Sequence, residues 1–372
     1  MSVTPVPLGR ELLPKLVTTL REGYGLAALR ADAIAGLTVA IVALPLAMAL
    51  AIASGTTPDK GLVTAVVAGF LISALGGSRV QIGGPTGAFV VVVVGVINQH
   101  GYDGLVLATL MAGLILVAAA LLRLGQWIKY IPEPVVTGFT SGIAVIIFSS
   151  QVKDLLGLSM GAVPAEFIEK WPAFWEARDS VGVAAIVGLG SLALILGLRR
   201  WVPKVPGFLV AVVLGSVAAF ALGLDVETIG SRFGGIPDHL PMPTLPVITL
   251  ERLQTLLPAA LTIAFLAGVE SLLSAVVADG MTGRRHRPNA ELLAQGVANT
   301  ASALVGGLPA TGAIARTVTN IRSGARSPVS GMLHAAFLLL FMLAFSGLAS
   351  YVPLAVLARS EERRVGKECR SR

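Results

Sequence analysis

Eleven apolar segments, each about long enough to cross a lipid bilayer, follow one another along the sequence. A spanning helix needs about 20 mainly apolar residues, and fewer where it is broken. The segments cover residues 33–53, 61–76, 84–98, 104–123, 134–151, 181–198, 205–223, 254–278, 290–306, 312–323 and 329–348. With a mean hydropathy of +0.81 and 13% charged residues, the chain is too apolar for one soluble core. The sequence therefore predicts an all-α polytopic membrane protein.

Glycine and proline interrupt two of these segments, the third and the tenth. The interruptions read VQIGGPTGAF at 80–89 and LVGGLPATGAI at 304–314. In each, we expect a short extended stretch and then a helix that begins at Thr-Gly-Ala, at 86–88 and at 311–313. Non-helical backbone at membrane depth is tolerated only inside protein or beside a cavity, so two such breaks predict one shared site. If two helix N-termini converge there, their unpaired N–H groups and partial positive charge favour an anion.

An internal repeat relates the two breaks. Residues 36–55 resemble residues 260–279 at an offset of 224. At an offset of 225 the breaks also match, pairing Thr86 with Thr311, Gly87 with Gly312 and Ala88 with Ala313. Seven spans lie between equivalent points, and an odd number inverts the second copy. The pattern predicts a seven-plus-seven inverted-repeat transporter fold in which 11 of 14 spans are present, spans 3 and 10 being broken.

Basic residues sort to one side of the predicted membrane. With the N-terminus inside, fifteen Lys and Arg fall in cytoplasmic segments, whereas the outside segments hold six against eleven acidic residues. This bias predicts an inner (plasma) membrane protein with a cytoplasmic N-terminal segment, residues 1–31. The basic residues form no stripe, which argues against nucleic acid. Cys369 is the single cysteine, so neither a disulfide nor a cysteine-based metal site is expected.

The sequence changes character after Ala358. Residues 359–372, RSEERRVGKECRSR, are highly charged and have no apolar face. They resemble a translated sequencing adapter, so we interpret them as a non-native tail and expect spans 12 to 14 to be missing. A chain without those spans is not expected to transport. The alternative interpretation is a solvated tail that binds anionic lipid beside the membrane.

Two ionisable residues, Glu270 and Arg316, are predicted to lie within the bilayer. A charge there costs at least about 2.5 kcal/mol, so such residues usually face a partner or a water-filled cavity. Glu270 could carry a proton or anchor a coupling cation; alternatively, it bonds an exposed backbone N–H of a broken helix. Arg316, one turn into the second broken helix, could offer a full charge and five donors to an oxyanion. Its alternative role is a permanent structural pair with Glu270.

Four motifs carry a family resemblance. ALPLAMALAIASG, GGSRVQIGGPTGAF, IPEPVVTGFTSGIAV and GLPATGAIARTVTNIRSGARSPVSGMLHA are similar to motifs of the sulfate permease (SulP), or Solute Carrier 26, anion transporters. The resemblance covers about residues 32–358 and implies a fourteen-span fold, usually followed by a cytoplasmic STAS domain. It implies a core domain of spans 1–4 (32–130) and 8–11 (252–358), and a gate domain that includes spans 5–7 (131–251).

The same resemblance implies where the anion binds. Family members hold it between the N-termini of spans 3 and 10, and their acidic residue in span 8, here Glu270, is linked to H+ or Na+ coupling. The candidate substrate-binding residues are Thr86, Gly87, Ala88, Phe89, Thr311, Gly312, Ala313, Arg316 and Leu46. Leu46 stands where members often have glutamine, and Ala315 where animal members have serine. These departures leave sulfate, bicarbonate, chloride and dicarboxylates all open as substrates.

The leading hypothesis is a secondary active anion transporter, with Glu270 as the coupling residue. No nucleophile stands beside a base with a third orienting group, so we predict no enzyme, and neither a cofactor nor a metal site. Expected partners are a small anion and the lipid bilayer, with a homodimer as a further option. One alternative is a nucleobase transporter of the same architecture, against which Arg316 argues. Others are a non-transporting membrane scaffold and a fragment that does not fold.

Overall fold

Long helices make up most of the chain. The structure is a computed structural model that describes residues 8–130, 133–160, 167–202, 207–224, 226–237 and 239–357. The tail predicted at 359–372 lies outside the described residues. The helices are α1 (Leu8–Glu11), α2 (Lys15–Arg21), α3 (Leu26–Ala53), α4 (Pro58–Leu75), α5 (Val90–Leu121), α6 (Glu133–Leu156), α7 (Phe167–Glu176), α8 (Val183–Trp201), α9 (Gly207–Ala221), α10 (Ile229–Phe233), α11 (Leu250–Thr282), α12 (Pro288–Leu304), α13 (Ile314–Arg322) and α14 (Val329–Ala349).

Each predicted span falls on one of these helices. Spans 3 and 4 share α5, which the non-helical Gly101 (φ 70°, ψ 178°) divides into two. Among the described residues, four stretches are long and apolar enough to cross a membrane: Leu26–Ala53, Pro58–Leu75, Gly87–Leu121 and Leu250–Thr282. The short helix α7 was not predicted, because its 10 residues are fewer than a membrane span needs.

The chain forms two compact units. The first comprises Met1–Ala40, Lys60–Pro132 and Leu240–Leu340, and it contains both predicted breaks. The second comprises Ile41–Asp59, Glu133–His239 and Phe341–Arg372. The roles of core domain and gate domain stay predictions.

Small residues allow the helices of the first unit to approach closely. Helices α5 and α12 meet at Gly113 and Gly296, where a Cβ on Gly113 would lie 2.8 Å from the carbonyl oxygen of Gly296. In the third turn of α3, a Cβ on Gly36 would lie 2.6 Å from the carbonyl oxygen of Ser330. Packing through small residues is the usual means of helix association in a membrane, where apolar side chains gain little by leaving lipid.

A buried carboxylate joins the start of α3 to the segment that precedes α14. Asp32 is fully buried, and its oxygens accept hydrogen bonds from the Tyr24 hydroxyl at 2.8 Å and from the backbone N–H groups of Arg326 and Ser327 at 2.6 and 3.2 Å. The Ser327 hydroxyl also donates to it. Burial, followed by the hydrogen bond to Asp32, raises the pKa of Tyr24 to about 12. The carboxylate thus satisfies backbone donors that the helices leave unpaired.

Helix α2 and the segment that precedes α12 attach to the loop that leads into the first break. The N–H of Lys15 donates to the carbonyl oxygen of Gly76 at 3.0 Å, and the N–H of Arg287 donates to that of Gly77 at 3.0 Å. Burial, followed by the charges of Arg287 and Arg79, lowers the pKa of Lys15. The loop is therefore held from two sides before the chain enters the break.

Candidate anion-binding site

The two predicted breaks lie side by side and pair as strands. Strand β1 (Gly83–Gly84) is antiparallel to β2 (Thr311–Gly312). Next to this pair, the N–H of Ala313 donates to the carbonyl oxygen of Ile82 at 2.8 Å. A turn of 3-10 helix, Gly87–Phe89, follows β1 and leads into α5, whereas α13 begins directly after Ala313. Both helix starts are consequently fixed beside one short sheet.

Polar side chains satisfy the backbone groups of the breaks. The N–H of Ile82 donates to Thr317 Oγ1 at 3.1 Å. The side-chain amide of Asn299 forms two bonds with Ala310, accepting from its N–H at 2.8 Å and donating to its carbonyl oxygen at 2.9 Å. Extended backbone in an apolar surrounding needs such partners. Sequence reasoning missed these residues, although a polar amide or hydroxyl in an otherwise apolar helix near a break is a usable signal.

Glu270 and Arg316 both contact the first break, at consecutive residues. The Thr86 hydroxyl donates to Glu270 Oε2 at 2.8 Å, and the Arg316 guanidinium donates to the carbonyl oxygen of Pro85. Arg316 is 3% exposed, while Glu270 is half-buried. The structure therefore brings the two predicted ionisable residues to the start of the same helix; their roles stay predictions.

The other candidate residues divide between the units. Those of the first unit are buried at the two breaks: Thr86, Gly87, Ala88, Phe89, Thr311, Gly312 and Ala313. The Thr311 hydroxyl donates to the carbonyl oxygen of Ala267 in α11 at 2.8 Å. Leu46 is a buried residue of α3 in the second unit, and its part in an anion site stays a prediction.

A further buried carboxylate, Glu291, is hydrogen-bonded to residues next to the breaks, and sequence reasoning did not predict these contacts. Glu291 is fully buried in the first turn of α12. It accepts hydrogen bonds from the N–H of Gly77 at 3.0 Å, Gln81 Nε2 at 3.0 Å, Ser271 Oγ at 2.8 Å and Gln295 Nε2 at 3.0 Å. Burial inside the protein does not measure depth in the bilayer, so the prediction of two ionisable residues within the bilayer stays a prediction.

Gly312 is required by a close approach of side chains. A Cβ at this position would overlap the side-chain amide of Gln81 and would lie 3.1 Å from Ser271 Oγ. We expect Gly312→Ala to lower the free energy of unfolding by about 1 to 3 kcal/mol, as overpacking of a dense interior does. The measurement is thermal unfolding of the purified protein in detergent.

Gly280→Ala is the matched control for this prediction. Gly280 lies in α11, and a Cβ there would meet no atom within 4 Å. Alanine should leave stability unchanged or raise it slightly, because it is the better helix former. Equal melting temperatures for the two variants would show that the break tolerates a side chain at residue 312.

Comparison with known proteins identifies relatives of this chain. The family model described as the sulfate permease family matches residues 29–359. A protein of Bacillus subtilis named "Putative sulfate transporter YvdB" is 48% identical over 91% of this chain and 64% of its own length. The bicarbonate transporter BicA of Picosynechococcus is 36% identical over 89% of this chain and 60% of its own length. The chain spans about three-fifths of the length of these relatives.

Solved structures of similar proteins share the fold. The transmembrane domain of a cyanobacterial bicarbonate transporter BicA matches with a TM-score of 0.85 and 35% identity, over 93% of this chain and 89% of that one. The murine Solute Carrier 26 family member A9 anion transporter, in its inward-facing state, matches with a TM-score of 0.84 and 16% identity, over 100% of this chain and 66% of that one. The second likeness concerns the fold alone. The predicted fold class and family are confirmed: the chain belongs to the sulfate permease family of membrane transporters.

Proposed function

We propose that this chain binds a small anion at the paired breaks and takes part in moving it across the membrane. The observation that carries the proposal is the antiparallel pairing of β1 with β2. It fixes the starts of α5 and α13 beside each other, where the first N–H groups of each helix have no partner within the helix. Two converging helix starts offer an anion hydrogen bonds and partial positive charge in the same place.

Arg316 supplies the full charge that distinguishes this site from a neutral one. Its guanidinium is buried and donates to the carbonyl oxygen of Pro85, one residue before the Thr86 that precedes the 3-10 turn. A planar guanidinium is suited to oxyanions because it donates several parallel N–H groups. The site therefore favours sulfate, bicarbonate, chloride or a dicarboxylate over a neutral nucleobase.

Glu270 supports a coupling mechanism based on charge. Its carboxylate accepts a hydrogen bond from the Thr86 hydroxyl at the start of α5. Its negative charge therefore opposes the binding of an anion there. A proton or a sodium ion that neutralises Glu270 would remove this repulsion and raise the affinity for the anion. Binding of the cation and of the anion would then favour each other, as symport with H+ or Na+ requires.

The remaining parts of the proposal concern placement. Residues 32–130 and 252–358 would form the core domain, and residues 131–251 would belong to the gate domain. The protein would lie in the inner (plasma) membrane with its N-terminus in the cytoplasm, in keeping with the sorting of basic residues. Sulfate and bicarbonate are the first substrates to test, since the names of the relatives include them.

Calorimetry on the purified protein in detergent tests the proposal. Sulfate, bicarbonate, chloride, fumarate and uracil would each be titrated in a buffer that lacks the other four. We expect saturable binding of at least one anion and no heat of binding for uracil, because a neutral ring gains little from the positive site. Binding of uracil without any anion would instead favour a nucleobase transporter.

A further inference from the structure

The carboxylate of Glu291 lies at the centre of a buried hydrogen-bond network. Gln81 Nε2 donates to Ser271 Oγ at 2.7 Å and to Glu291 Oε1 at 3.0 Å. Gln295 Nε2 repeats this arrangement with the same two acceptors at 2.7 and 3.0 Å. The Ser271 hydroxyl donates to Glu291 Oε1 at 2.8 Å, and the N–H of Gly77 donates to Oε2 at 3.0 Å. Each amide nitrogen thus lies within hydrogen-bond distance of both Ser271 Oγ and Glu291 Oε1, and the serine donates its one hydrogen to the carboxylate.

Glu291 is the shared hydrogen-bond acceptor of this network. Three groups donate to Oε1, and the N–H of Gly77 donates to Oε2. A buried polar group depends on such partners. Glu291 also lies in the first turn of α12, so the network is attached to the start of that helix.

The network reaches both parts of the anion site. Gln81 precedes β1, and its side-chain amide packs against Gly312 of β2 so closely that a Cβ would overlap it. Ser271 directly follows Glu270 in α11, so the bond from Ser271 to Glu291 sets the rotation of the helix that presents Glu270 to Thr86. The buried carboxylate of Glu291 consequently accepts hydrogen bonds from Gln81, which separates the two breaks, and from Ser271, the neighbour of Glu270.

We propose that Glu291 is a positioning residue for anion binding. Through Gln81 it fixes the distance between the two breaks, and through Ser271 it fixes the place of Glu270. Glu291 itself need not touch the anion. The inference rests on the proposed anion site and adds to it a residue that fixes the positions of the two breaks and of Glu270.

Glu291→Gln is the direct test. The substitution replaces one acceptor oxygen of the carboxylate by an NH2 group. This group faces hydrogen-bond donors and cannot accept from them, so at least one hydrogen bond of the network is lost. We expect the affinity for sulfate or bicarbonate, whichever the wild type binds, to fall about tenfold, as loss of charged hydrogen bonds does. The stimulation of uptake by a proton or sodium gradient in liposomes should fall as well, since Glu270 is displaced. Calorimetry and tracer uptake measure the two effects.

Asp32→Asn is the matched control, because Asp32 is also a buried carboxylate with several donors in the first unit. Both variants should lose thermal stability, but Asp32→Asn should keep the wild-type anion affinity. If Glu291→Gln does not fold, Gln81→Met removes the amide that spaces the breaks and leaves the carboxylate with its other three donors. It should show the same loss of affinity.

The outcomes separate this inference from the site on which it rests. Wild-type affinity in both Glu291→Gln and Gln81→Met, alongside weakened binding in Arg316→Ala, would overturn the positioning role and leave the anion site intact. An equal loss of affinity in Asp32→Asn would also overturn it, because a general structural effect would then suffice. Unchanged affinity in all of these variants, including Arg316→Ala, would contradict the site itself.

Discussion

Replacement of Arg316 by alanine should weaken anion binding by about 1.5 to 3 kcal/mol, the contribution expected of charged hydrogen bonds. The guanidinium is buried in the first turn of α13 and contacts Pro85 beside the start of α5. It is thus within the arrangement in which the two helix starts converge, and its loss removes a full positive charge from a site of low dielectric. Calorimetry with sulfate and bicarbonate measures the change.

Two variants control this result. Arg322→Ala removes the same side chain from the end of the same helix, where residue 322 is exposed, and should leave affinity unchanged. Arg316→Lys keeps the charge but loses the planar fork, so we expect an affinity between those of wild type and alanine. Arg316→Ala with the affinity of the wild type would exclude this residue from the site.

Glu270→Gln should abolish the stimulation of anion uptake by an inward proton or sodium gradient. The amide can still accept the hydrogen bond from Thr86, so the local structure should persist. It can neither take up a proton at neutral pH nor hold a cation by charge. Exchange of anions across the membrane should survive, because the helix starts and Arg316 are unchanged. Tracer uptake in liposomes, with and without each gradient, measures the effect, with wild type and variants each joined after Ala358 to spans 12 to 14 of a close homologue.

The control for this variant is Glu251→Gln. Glu251 lies in the first turn of the same helix, α11, and is exposed. Gradient stimulation should be that of the wild type. If Glu270→Gln also kept its full gradient dependence, coupling would have to be assigned to another group.

Much of this architecture could be predicted from the sequence because the membrane leaves few options to the backbone. Apolar runs of spanning length become helices, and Gly83 to Pro85 within such a run can only interrupt one. The same reasoning selected Glu270 and Arg316, since charge at that depth is costly without a use. The structure places both at the first break, where they contact Thr86 and Pro85.

The rest depended on contacts between residues far apart in the chain. Nothing local in the sequence shows that β1 pairs with β2, because two glycines and a Thr-Gly pair have little strand preference. Glu291 was missed for a related reason: a carboxylate at the start of a helix is ordinarily solvated. Here the loop at Gly77 and the amide of Gln81 cover it.

The pairing of the two breaks also sets an order in which the membrane domain can be completed. Arg316 is 231 residues beyond the Pro85 carbonyl that it binds, and at ~5–20 residues per second the ribosome takes ~10 s or more to make that stretch. During this interval the first half of the repeat is already in or near the bilayer, with Ile82 still lacking the partners in α13 and beside β2 that later satisfy its backbone. Unpaired backbone in hydrocarbon costs several kcal/mol per group. The nascent first half is therefore an incompletely folded intermediate. Its unpaired backbone groups must be kept away from lipid, by the insertion machinery or by water, until the second copy of the repeat is made and supplies their partners.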